Sequence, residues 1–439
     1  MADIKKEKLN VAVIGGGGRE HAIISKLLQS PRLGTLCAIP GNGGIEEDVP
    51  CININASDVN AVAAYCIQNN IDYVVVTPDD PLALGMVDAL NEAKISSFGP
   101  VKAAARIESS KIFSKNLMKK YGIPTAAYET FNDYDKAIEY VRKYFADGHT
   151  GIVIKADGLA LGKGVTICSR LKDAEEAVFE AMKNKRFGAS GENIVVEEML
   201  EGVEVSVLAF CDGRTLVPMV SSMDHKRAFD GNTGPNTGGM GTIAPNPFWT
   251  AQIAADCEKR IFLPTVAAMQ KEGAPFSGCL YFGLMLTKNG PVVIEYNCRF
   301  GDPETQVVLP LLETDLLEIM IACTEGRLDP KMVNFKTGAA VCVIMASGGY
   351  PAGYGKGYAI TGIDEAEKDK CVKVYSAGTA KDPKNESLVT SGGRVLGVTA
   401  TADTLKAAIM SVYKAVSKIH FKNCFYRTDI GFTTYGTTP

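Results

Sequence analysis

The sequence predicts a multidomain protein of the α/β and α+β classes that begins with a doubly wound parallel sheet. Strand-like and helix-like segments alternate over the first hundred residues, which is typical of a parallel sheet. Beyond Glu197, long strand-like segments follow one another without regular helices between them, which favours an antiparallel or mixed sheet. A chain of 439 residues has room for about two to four domains.

The individual elements follow from the spacing of apolar residues along the chain. In the first part, strands are predicted over residues 11–14, 35–39 and 73–76, and helices over residues 20–29, 58–69 and 81–94. Next come a helix over residues 111–121 and a smaller unit with β-like runs over residues 151–154 and 165–168 and helices over residues 133–144 and 173–184. Long strands are then predicted over residues 204–210, 277–286 and 292–297, and a last strand-rich part runs from a strand over residues 339–345 to a helix over residues 405–420.

The composition argues against several classes of protein. The formal net charge of −4 argues against a nucleic-acid partner, which would require clustered Lys and Arg. No apolar run approaches the roughly 18 residues that a membrane helix needs. The 12 cysteines include no C-x-x-C pair and mostly lie in apolar runs, so we interpret them as buried thiols of a cytoplasmic protein.

A glycine-rich loop follows the first predicted strand. Residues 15–21 read Gly-Gly-Gly-Gly-Arg-Glu-His and open the first helix, where backbone N–H groups and the helix dipole can bind an anion. The dinucleotide fingerprint G-x-G-x-x-G is not met, because its third glycine falls on Glu20 or His21. Arg19 instead suits a terminal phosphate, which a guanidinium can bind through two hydrogen bonds. A turn needed only for tight packing of strand and helix is the alternative.

A second glycine-rich loop runs from Lys155 to Val165 between two β-like runs. The Walker A pattern is not met, because the spacing is one residue short and Gly164 replaces Ser or Thr. Such a loop can still fold over a triphosphate, with Lys155 and Lys163 offsetting its charge. A flexible hairpin with a solvated lysine remains the alternative.

Two further stretches carry polar residues at strand ends. The strand before Glu197 and Glu198 leaves the sheet there, which would expose backbone groups to an adenine edge, although paired glutamates at a strand end are commonly just solvated. In the strand over residues 292–297, Glu295 and Asn297 share one face, and Arg299 continues it. A carboxylate and an amide oxygen suit Mg²⁺. A polar sheet face exposed to water is the alternative.

Taken in order, eight stretches resemble the ATP-grasp fold and, within it, the phosphoribosylamine–glycine ligase family. These stretches cover residues 17–22, 40–42, 155–165, 224–227, 234–241, 295–304, 392–396 and 429–432. The sequence departs from the family's usual residues at Asp79, Leu161, Met223 and Thr242-Ile243. These departures concern the details of the sugar-phosphate site.

The resemblance implies an ATP-grasp fold with four units. They are an N-terminal doubly wound parallel-sheet domain over residues 1–108, which would bind phosphoribosylamine, and a small lid domain over residues 127–195. A central ATP domain would cover residues 109–126 and 196–335, and a C-terminal domain residues 336–439.

The resemblance also implies ligation of glycine to 5-phosphoribosylamine through glycyl phosphate, a step of purine synthesis. ATP would be the co-substrate, Mg²⁺ or Mn²⁺ the metal, and these small molecules the partners of a monomer or weak homo-oligomer. Residue patterns and resemblance together predict four sets of residues. The catalytic set is Lys155, Lys163, Lys226 and Arg299. The ATP-binding set is Lys111, Lys155, Gly158, Gly162, Lys163, Gly164, Glu197, Glu198, Met199, Leu200, Glu204, Arg227 and Asn236. The substrate-binding set is Gly16, Gly17, Gly18, Arg19, Glu20, His21, Asn42, Asp79, Asp224, Arg299 and Asp302. The metal-binding set is Glu295 and Asn297.

Three other functions compete with this prediction. Another purine-pathway ligase or a carboxylase with the same fold would share the lid loop and the metal strand, but would lack the stretch over residues 224–241. A dehydrogenase would need the glycine fingerprint that the first loop does not meet. A non-catalytic nucleotide-binding protein would not require every one of these motif positions to be filled.

Overall fold

The computed structural model describes residues 4, 6–159 and 164–432. Its N-terminal part is a four-stranded parallel sheet in the order β2-β1-β3-β4 with helices packed around it. The strands are β1 (Leu9–Gly15), β2 (Leu33–Pro40), β3 (Tyr73–Val76) and β4 (Ser96–Phe98). The helices are α1 (Gly18–Leu27), α2 (Val59–Gln68), α3 (Asp79–Leu84), α4 (Met86–Glu92) and α5 (Lys102–Ser109). The predicted parallel sheet is confirmed.

Two helical predictions in this part need correction. The single helix predicted over residues 81–94 is two helices, α3 and α4, because Gly85 adopts a left-handed backbone with φ of +95° and ends the first of them. Helix α5 was not predicted, and it lies immediately before α6 (Lys111–Tyr121). Ser110 separates α5 from α6, and its side chain accepts a hydrogen bond from the Phe113 backbone as an N-cap.

The lid is a compact sheet with two helices on one face. Its strands are β5 (Tyr128–Phe131), β6 (Ile152–Ala156), β7 (Val165–Cys168) and β8 (Ile194–Glu198), all antiparallel in the order β5-β8-β6-β7. Helices α7 (Tyr134–Ala146) and α8 (Leu171–Met182) bury their apolar faces against this sheet and form a separate hydrophobic core. A core of its own lets the lid behave as a rigid unit.

The central part is an antiparallel sheet in the order β10-β9-β15-β16. The strands are β9 (Val203–Asp212), β10 (Leu216–Pro218), β15 (Ser277–Thr287) and β16 (Gly290–Asn297). The prediction that no regular helices separate these strands is wrong, because α9 (Ala251–Cys257) and α10 (Leu263–Lys271) lie between β10 and β15, joined by a π-helical turn. Helices α11 (Thr305–Val308) and α12 (Leu316–Glu325) follow β16.

The C-terminal sheet includes two strands from the middle of the chain, β11 and β14. Its order is β11-β14-β17-β21-β18, with β22 pairing β17. These strands are β11 (Met223–Asp224), β14 (Gly241–Ala244), β17 (Ala339–Ser347), β18 (Val372–Ser376), β21 (Arg394–Ala402) and β22 (Cys424–Phe425). Two hairpins, β12 (Arg227–Phe229) with β13 (Thr233–Asn236) and β19 (Thr379–Lys381) with β20 (Leu388–Thr390), and helices α13 (Ile363–Ala366) and α14 (Leu405–Val416) complete this part. Strands β11 and β14 therefore belong to the C-terminal sheet, although the sequence suggested placing residues 196–335 together in the central domain.

Within the described ranges, every helix is too short or too polar to cross a lipid bilayer.

Candidate active site

The centre of the site is Glu295, which lies on β16 among basic side chains from three parts of the fold. Burial alone would raise the pKa of Glu295, but the charges of Lys226, Lys155, Lys111 and Arg299 outweigh it and hold that pKa below its usual range. The carboxylate is therefore ionised at neutral pH. The structure thus brings together four of the predicted cations around the predicted metal ligand.

Two of these cations are fixed by contacts with main-chain carbonyl groups. Lys155, on lid strand β6, donates from Nζ to the carbonyl of Ile294 at 3.0 Å, directly beside Glu295. Lys111, at the start of α6, donates to the carbonyl of Gly158 at 2.8 Å. Burial and then the charge of Lys155 lower the pKa of Lys111, although nearby acids counteract them. Cations held in place in this way suit the binding of a polyanion, whose negative charges would neutralise them.

The Glu197 carboxylate contradicts the alternative of a solvated strand end. It is buried and forms ion pairs with Lys115 and Lys155, each at 3.0 Å. Its neighbour Glu198 accepts a hydrogen bond from the Ala127 backbone at 2.9 Å. The side chains of β8 thus hold the base of the lid, while Met199 and Leu200 follow half-buried at the strand end, where adenine contact was predicted.

A second group of acids and bases surrounds Lys226. Its Nζ lies 3.3 Å from Glu204 Oε2. The charge of Glu204 raises the pKa of Lys226 well above its usual value, although burial of the lysine acts in the opposite direction. Burial and the nearby Glu304 carboxylate raise the pKa of Asp224 well above its usual value. Glu204 belongs to the predicted ATP-binding set, and in this structure its carboxylate neutralises Lys226.

The predicted ATP contacts Arg227 and Asn236 lie opposite each other in the hairpin of β12 and β13. Arg227 donates to the Gly234 carbonyl at 2.8 Å, and Asn236 is exposed. Among the described residues, no hydrogen bond or ion pair joins either side chain to Glu295.

Arg299 links the Glu295 cluster to the N-terminal domain. Its Nη2 lies 3.1 Å from Glu108 Oε1 on α5, and 3.4 Å from the side-chain oxygen of Asn297. Among the described residues its buried Nε has no hydrogen-bond partner, so one donor remains for a ligand. Asp79 lies nearby, and although burial would raise its pKa, Arg299 and then Arg19 hold that pKa below its usual value.

A cavity of about 550 Å³ opens beside the first glycine loop. From the predicted set, Gly16, Gly17, Arg19 and Glu20 line it. The sequence did not single out the polar residues on the opposite wall, which are Asn53, Asn55, Ser57 and Asp80. The loop packs closely against the residue that follows β2, because a Cβ on Gly16 would come within 2.2 Å of the Gly41 carbonyl oxygen.

Two side chains of the predicted substrate set, Glu20 and His21, are occupied by contacts within the protein. Glu20 accepts from the Gly17 backbone at 2.6 Å and from Arg19 Nε at 2.8 Å. The His21 ring accepts from the Ser376 backbone at 2.8 Å and contacts Asp48 on its other nitrogen at 2.9 Å. These side chains shape the glycine loop from behind.

Asn42 has the same role on the other side of the loop. Its amide nitrogen donates to the carbonyls of Gly16 and Ser376, both at 3.0 Å. Its oxygen accepts from the Gly44 and Ile45 backbones, both at 2.9 Å. These contacts hold Asn42 and His21 against the loop, and direct contact of either residue with a substrate stays a prediction.

Asp302 connects the loop to the C-terminal domain. Its carboxylate accepts from Gln306 at 2.7 Å and pairs with Arg394 at 3.3 Å. Arg394 also donates to the carbonyls of Gly238 and Asp302 at 2.7 and 2.8 Å. A Cβ on Gly17 would lie 3.4 Å from the Asp302 carboxylate, and one on Gly18 would lie 3.6 Å from it, so Asp302 stands directly behind the loop.

The lid loop is described in part. Gly158 has φ of +144° and packs so closely on Ser190 that a Cβ would meet its Oγ at 2.3 Å. Gly164 accepts from the Ala156 backbone at 2.8 Å, which closes the base of the loop. The predicted residues Gly162 and Lys163 lie outside the described residues.

Sequence reasoning missed Glu108, Lys115 and Arg394. Glu108 lies on the helix that was not predicted. Lys115 follows Lys111 by one helical turn, and that spacing is a signal that could have placed both on one face of α6. Arg394 lies in one of the motif stretches of the sequence, but its role depends on contacts with residues distant in the chain.

The oxygen ligands at β16 fit a magnesium-like ion. Glu295 is ionised, and the Asn297 oxygen lies on the same face of the strand. The described residues contain no group of three or more His, Cys, Asp or Glu that could hold a metal by themselves. Mg²⁺ commonly takes only one or two carboxylates and completes its shell with phosphate oxygens and water, so this small donor set is compatible with a nucleotide-bound ion.

Comparison with known proteins identifies the family. Residues 9–108, 109–305 and 340–433 match the N domain, the ATP-grasp (A) domain and the C domain of phosphoribosylglycinamide synthetase. The chain is 46% identical to the phosphoribosylamine–glycine ligase of Rhodopirellula baltica, over 96% of this chain and 97% of that one. A ligase of the same name from Caldanaerobacter subterraneus is also 46% identical, with 96% and 99% covered.

Solved structures agree with this match. The crystal structure of phosphoribosylamine–glycine ligase from Thermotoga maritima superposes with a TM-score of 0.81 at 33% identity, covering 96% of this chain and all of that one. A biotin carboxylase from Campylobacter jejuni, at 14% identity and a TM-score of 0.73, covers 98% of this chain and 96% of that one and shares the fold. The chain therefore belongs to the phosphoribosylglycinamide synthetase family and has the ATP-grasp fold.

Proposed function

We propose that this protein ligates glycine to 5-phosphoribosylamine at the expense of ATP, through glycyl phosphate, in purine synthesis. The family membership supports the ligase reaction. The observation that supports the proposed site is the cluster around Glu295, where cations from the lid, α6 and the central sheet meet beside two oxygen ligands.

In the first proposed step, a carboxylate oxygen of glycine attacks the γ-phosphorus of ATP, and the bond to ADP breaks. A carboxylate needs no base to act as a nucleophile, so this step depends on positioning and on neutralising charge. Lys111, Lys155 and Lys226 supply that charge. The free Nε–H of Arg299 is a donor for the glycine carboxylate or the transferring phosphate.

In the second proposed step, the amine of phosphoribosylamine attacks the acyl carbon. The carbon–oxygen bond to phosphate breaks, the amine loses a proton, and inorganic phosphate leaves with the oxygen that came from glycine. The cavity beside Gly16, Gly17 and Arg19 would hold the sugar phosphate, with donors from the loop backbone and the guanidinium. The lid would exclude water from the acyl phosphate.

Glu295 and Asn297 would hold Mg²⁺ or Mn²⁺. When bound, the ion would neutralise phosphate oxygens of the nucleotide. The proposal extends to a cytoplasmic location and to a monomer or weak homo-oligomer, and the 12 cysteines, all free thiols, are consistent with a reducing compartment.

An oxygen-label experiment tests both the reaction and its intermediate. Purified protein is given ATP, freshly generated phosphoribosylamine and glycine labelled with ¹⁸O in its carboxylate, and ADP and phosphate are measured. We expect ADP release that requires both substrates, and one ¹⁸O atom in each phosphate released. Unlabelled phosphate would refute glycyl phosphate. ADP release that proceeds equally well without glycine or phosphoribosylamine would refute the ligase function.

A further inference from the structure

A buried chain of polar contacts joins the base of the lid to the central sheet. Lys115, on α6, contacts Glu197 Oε2 at 3.0 Å and donates to Thr125 Oγ1 at 2.7 Å. Thr125 in turn donates to the Val293 carbonyl at 2.7 Å. The other oxygen of Glu197 lies 3.0 Å from Lys155 Nζ. Because Val293 is on β16, the chain runs from the lid to the strand of Glu295.

The charges in this chain do not balance. One carboxylate, Glu197, is shared by two ammonium groups, Lys115 and Lys155, and all three side chains are about 95% buried or more. Each lysine therefore shares its ion-pair partner in surroundings where an uncompensated charge is unfavourable. Burial lowers the pKa of Lys115 to about 8, against the opposing effect of Glu197, so the group is still mainly an ammonium at neutral pH.

The sharing bears on Lys155 more than on Lys115. Lys115 has a second oxygen partner in Thr125 and lies over the ring of Tyr128 at 5.6 Å. Lys155 has the Ile294 carbonyl beside Glu295. If Lys115 were absent, the full charge of Glu197 would act on Lys155 alone and draw its ammonium group away from an incoming phosphate.

We propose that Lys115 is a positioning residue for the nucleotide. Lys115 pairs with one oxygen of the Glu197 carboxylate. It thereby keeps Lys155 close to β16 and leaves the charge of Lys155 available to the triphosphate. Lys115 itself touches neither substrate nor metal in this arrangement. This inference rests on the proposed use of ATP, and it adds a residue to the machinery that the sequence did not predict.

The test compares ATP affinity and turnover in Lys115→Met with those of the unaltered protein. We expect the KM for ATP and the Kd for ATP to rise at least about tenfold, as when a charge-assisted bond to phosphate weakens. The KM for glycine should change less than threefold. Lys119→Met is the matched control, because Lys119 is on the same helix and equally close to the Tyr128 ring but is exposed, and it should leave all constants unchanged.

A second variant separates positioning from mere stability. In the double variant Lys115→Met with Glu197→Gln, the carboxylate that would capture Lys155 is gone, so the Kd for ATP should lie within about threefold of that of Glu197→Gln alone. The conservative variant Lys115→Arg keeps the positive charge and should therefore retain most of the ATP affinity of the unaltered protein. If Lys115→Met raises the Kd as much in the Glu197→Gln protein as in the unaltered protein, or if Lys115→Met alone binds ATP normally, the inference is wrong.

The design also separates this inference from the proposed function. ATP affinity is measured by calorimetry without glycine or phosphoribosylamine, so it does not depend on the ligase reaction. If Lys115→Met does not fold, the inference is tested by comparing the Kd for ATP of the double variant with that of Glu197→Gln alone. With Glu197 neutral, loss of Lys115 should alter the Kd less than threefold, and a larger change would overturn the inference.

Discussion

Replacing Glu295 by Gln tests the proposed centre of the site through two effects of opposite sign. The change keeps the shape of the side chain and removes its charge. Glu295 is the one charged ligand of the proposed pair, so metal binding should fall. It is also an anion among four cations, so its removal should favour a polyanion that arrives without metal.

The expected magnitudes follow from these two roles. Loss of a group that merely orients a metal ligand lowers metal affinity about 10–100-fold, so loss of the ligand charge should lower it at least about 100-fold. A negative charge roughly 4–7 Å from a phosphate opposes it by about 2–4 kcal/mol at an effective dielectric constant of ~20. Part of this repulsion is relieved, so metal-free ATP should bind Glu295→Gln at least as tightly as it binds the unaltered protein.

Three measurements decide the outcome. Mn²⁺ binding in the presence of nucleotide is followed by electron paramagnetic resonance, ATP binding in EDTA by calorimetry, and ADP release with both substrates by a coupled assay. Glu201→Gln removes an exposed carboxylate that lies just beyond the end of β8 and serves as the control. A Glu295→Gln protein with unaltered Mn²⁺ affinity, or one that loses metal-free ATP together with the metal, would refute the reasoning.

The structure yields three further predictions. Arg427→Met should lower the free energy of unfolding, measured by urea titration, by about 3–5 kcal/mol. The buried guanidinium binds Asp429 at 2.7 and 2.9 Å, and its loss leaves that carboxylate unpaired. Adding Asp429→Asn should recover part of the lost stability. Burial lowers the pKa of His225 to about 4, so His225 stays neutral in the folded protein, whereas it takes up a proton below pH 6.5 in the unfolded chain. The free energy of unfolding should therefore fall by about 3 kcal/mol between pH 6.5 and pH 4 because of this residue. His225→Gln should remove this part of the pH dependence. Gly16→Ala should raise the KM for phosphoribosylamine at least about tenfold with little change for ATP, since its Cβ would collide with the Gly41 carbonyl and displace the loop; equal effects on both KM values in substrate titrations would contradict this.

The local parts of the fold and site could be predicted because they depend on short-range patterns. Three parallel strands of the N-terminal sheet, β1, β2 and β3, are apolar runs that end near Gly or Pro, and the structure confirms them. The short fourth strand, β4, lacks such a run and was not predicted. Likewise, the alternation of side chains along β16 predicted a shared face for Glu295 and Asn297. What periodicity could not show was the break at Gly85, since a glycine in an apolar helical pattern does not reveal its φ.

Long-range contacts explain the remaining differences. Sequence alone left a solvated strand end as the alternative for Glu197, whereas the fold buries it between two lysines from α6 and the lid. Nothing near β11 and β14 in the sequence indicates that they pair with a sheet whose next strand begins at Ala339. Lys163 and Gly162 were singled out by their motif, and their roles stay predictions.

The first glycine loop illustrates why the N-terminal domain cannot form this site by itself. Asn42 and His21 flank the loop, and each is fixed by a main-chain group of Ser376, which lies on β18 of the C-terminal sheet. Asp302 supports the same loop and is paired with Arg394 from β21 of that sheet. Oriented donors stabilise a bound phosphate only if their orientation is fixed before it arrives. In the proposed function, the C-terminal domain would therefore contribute to phosphate binding without lining the cavity, because it holds the side chains that flank the loop.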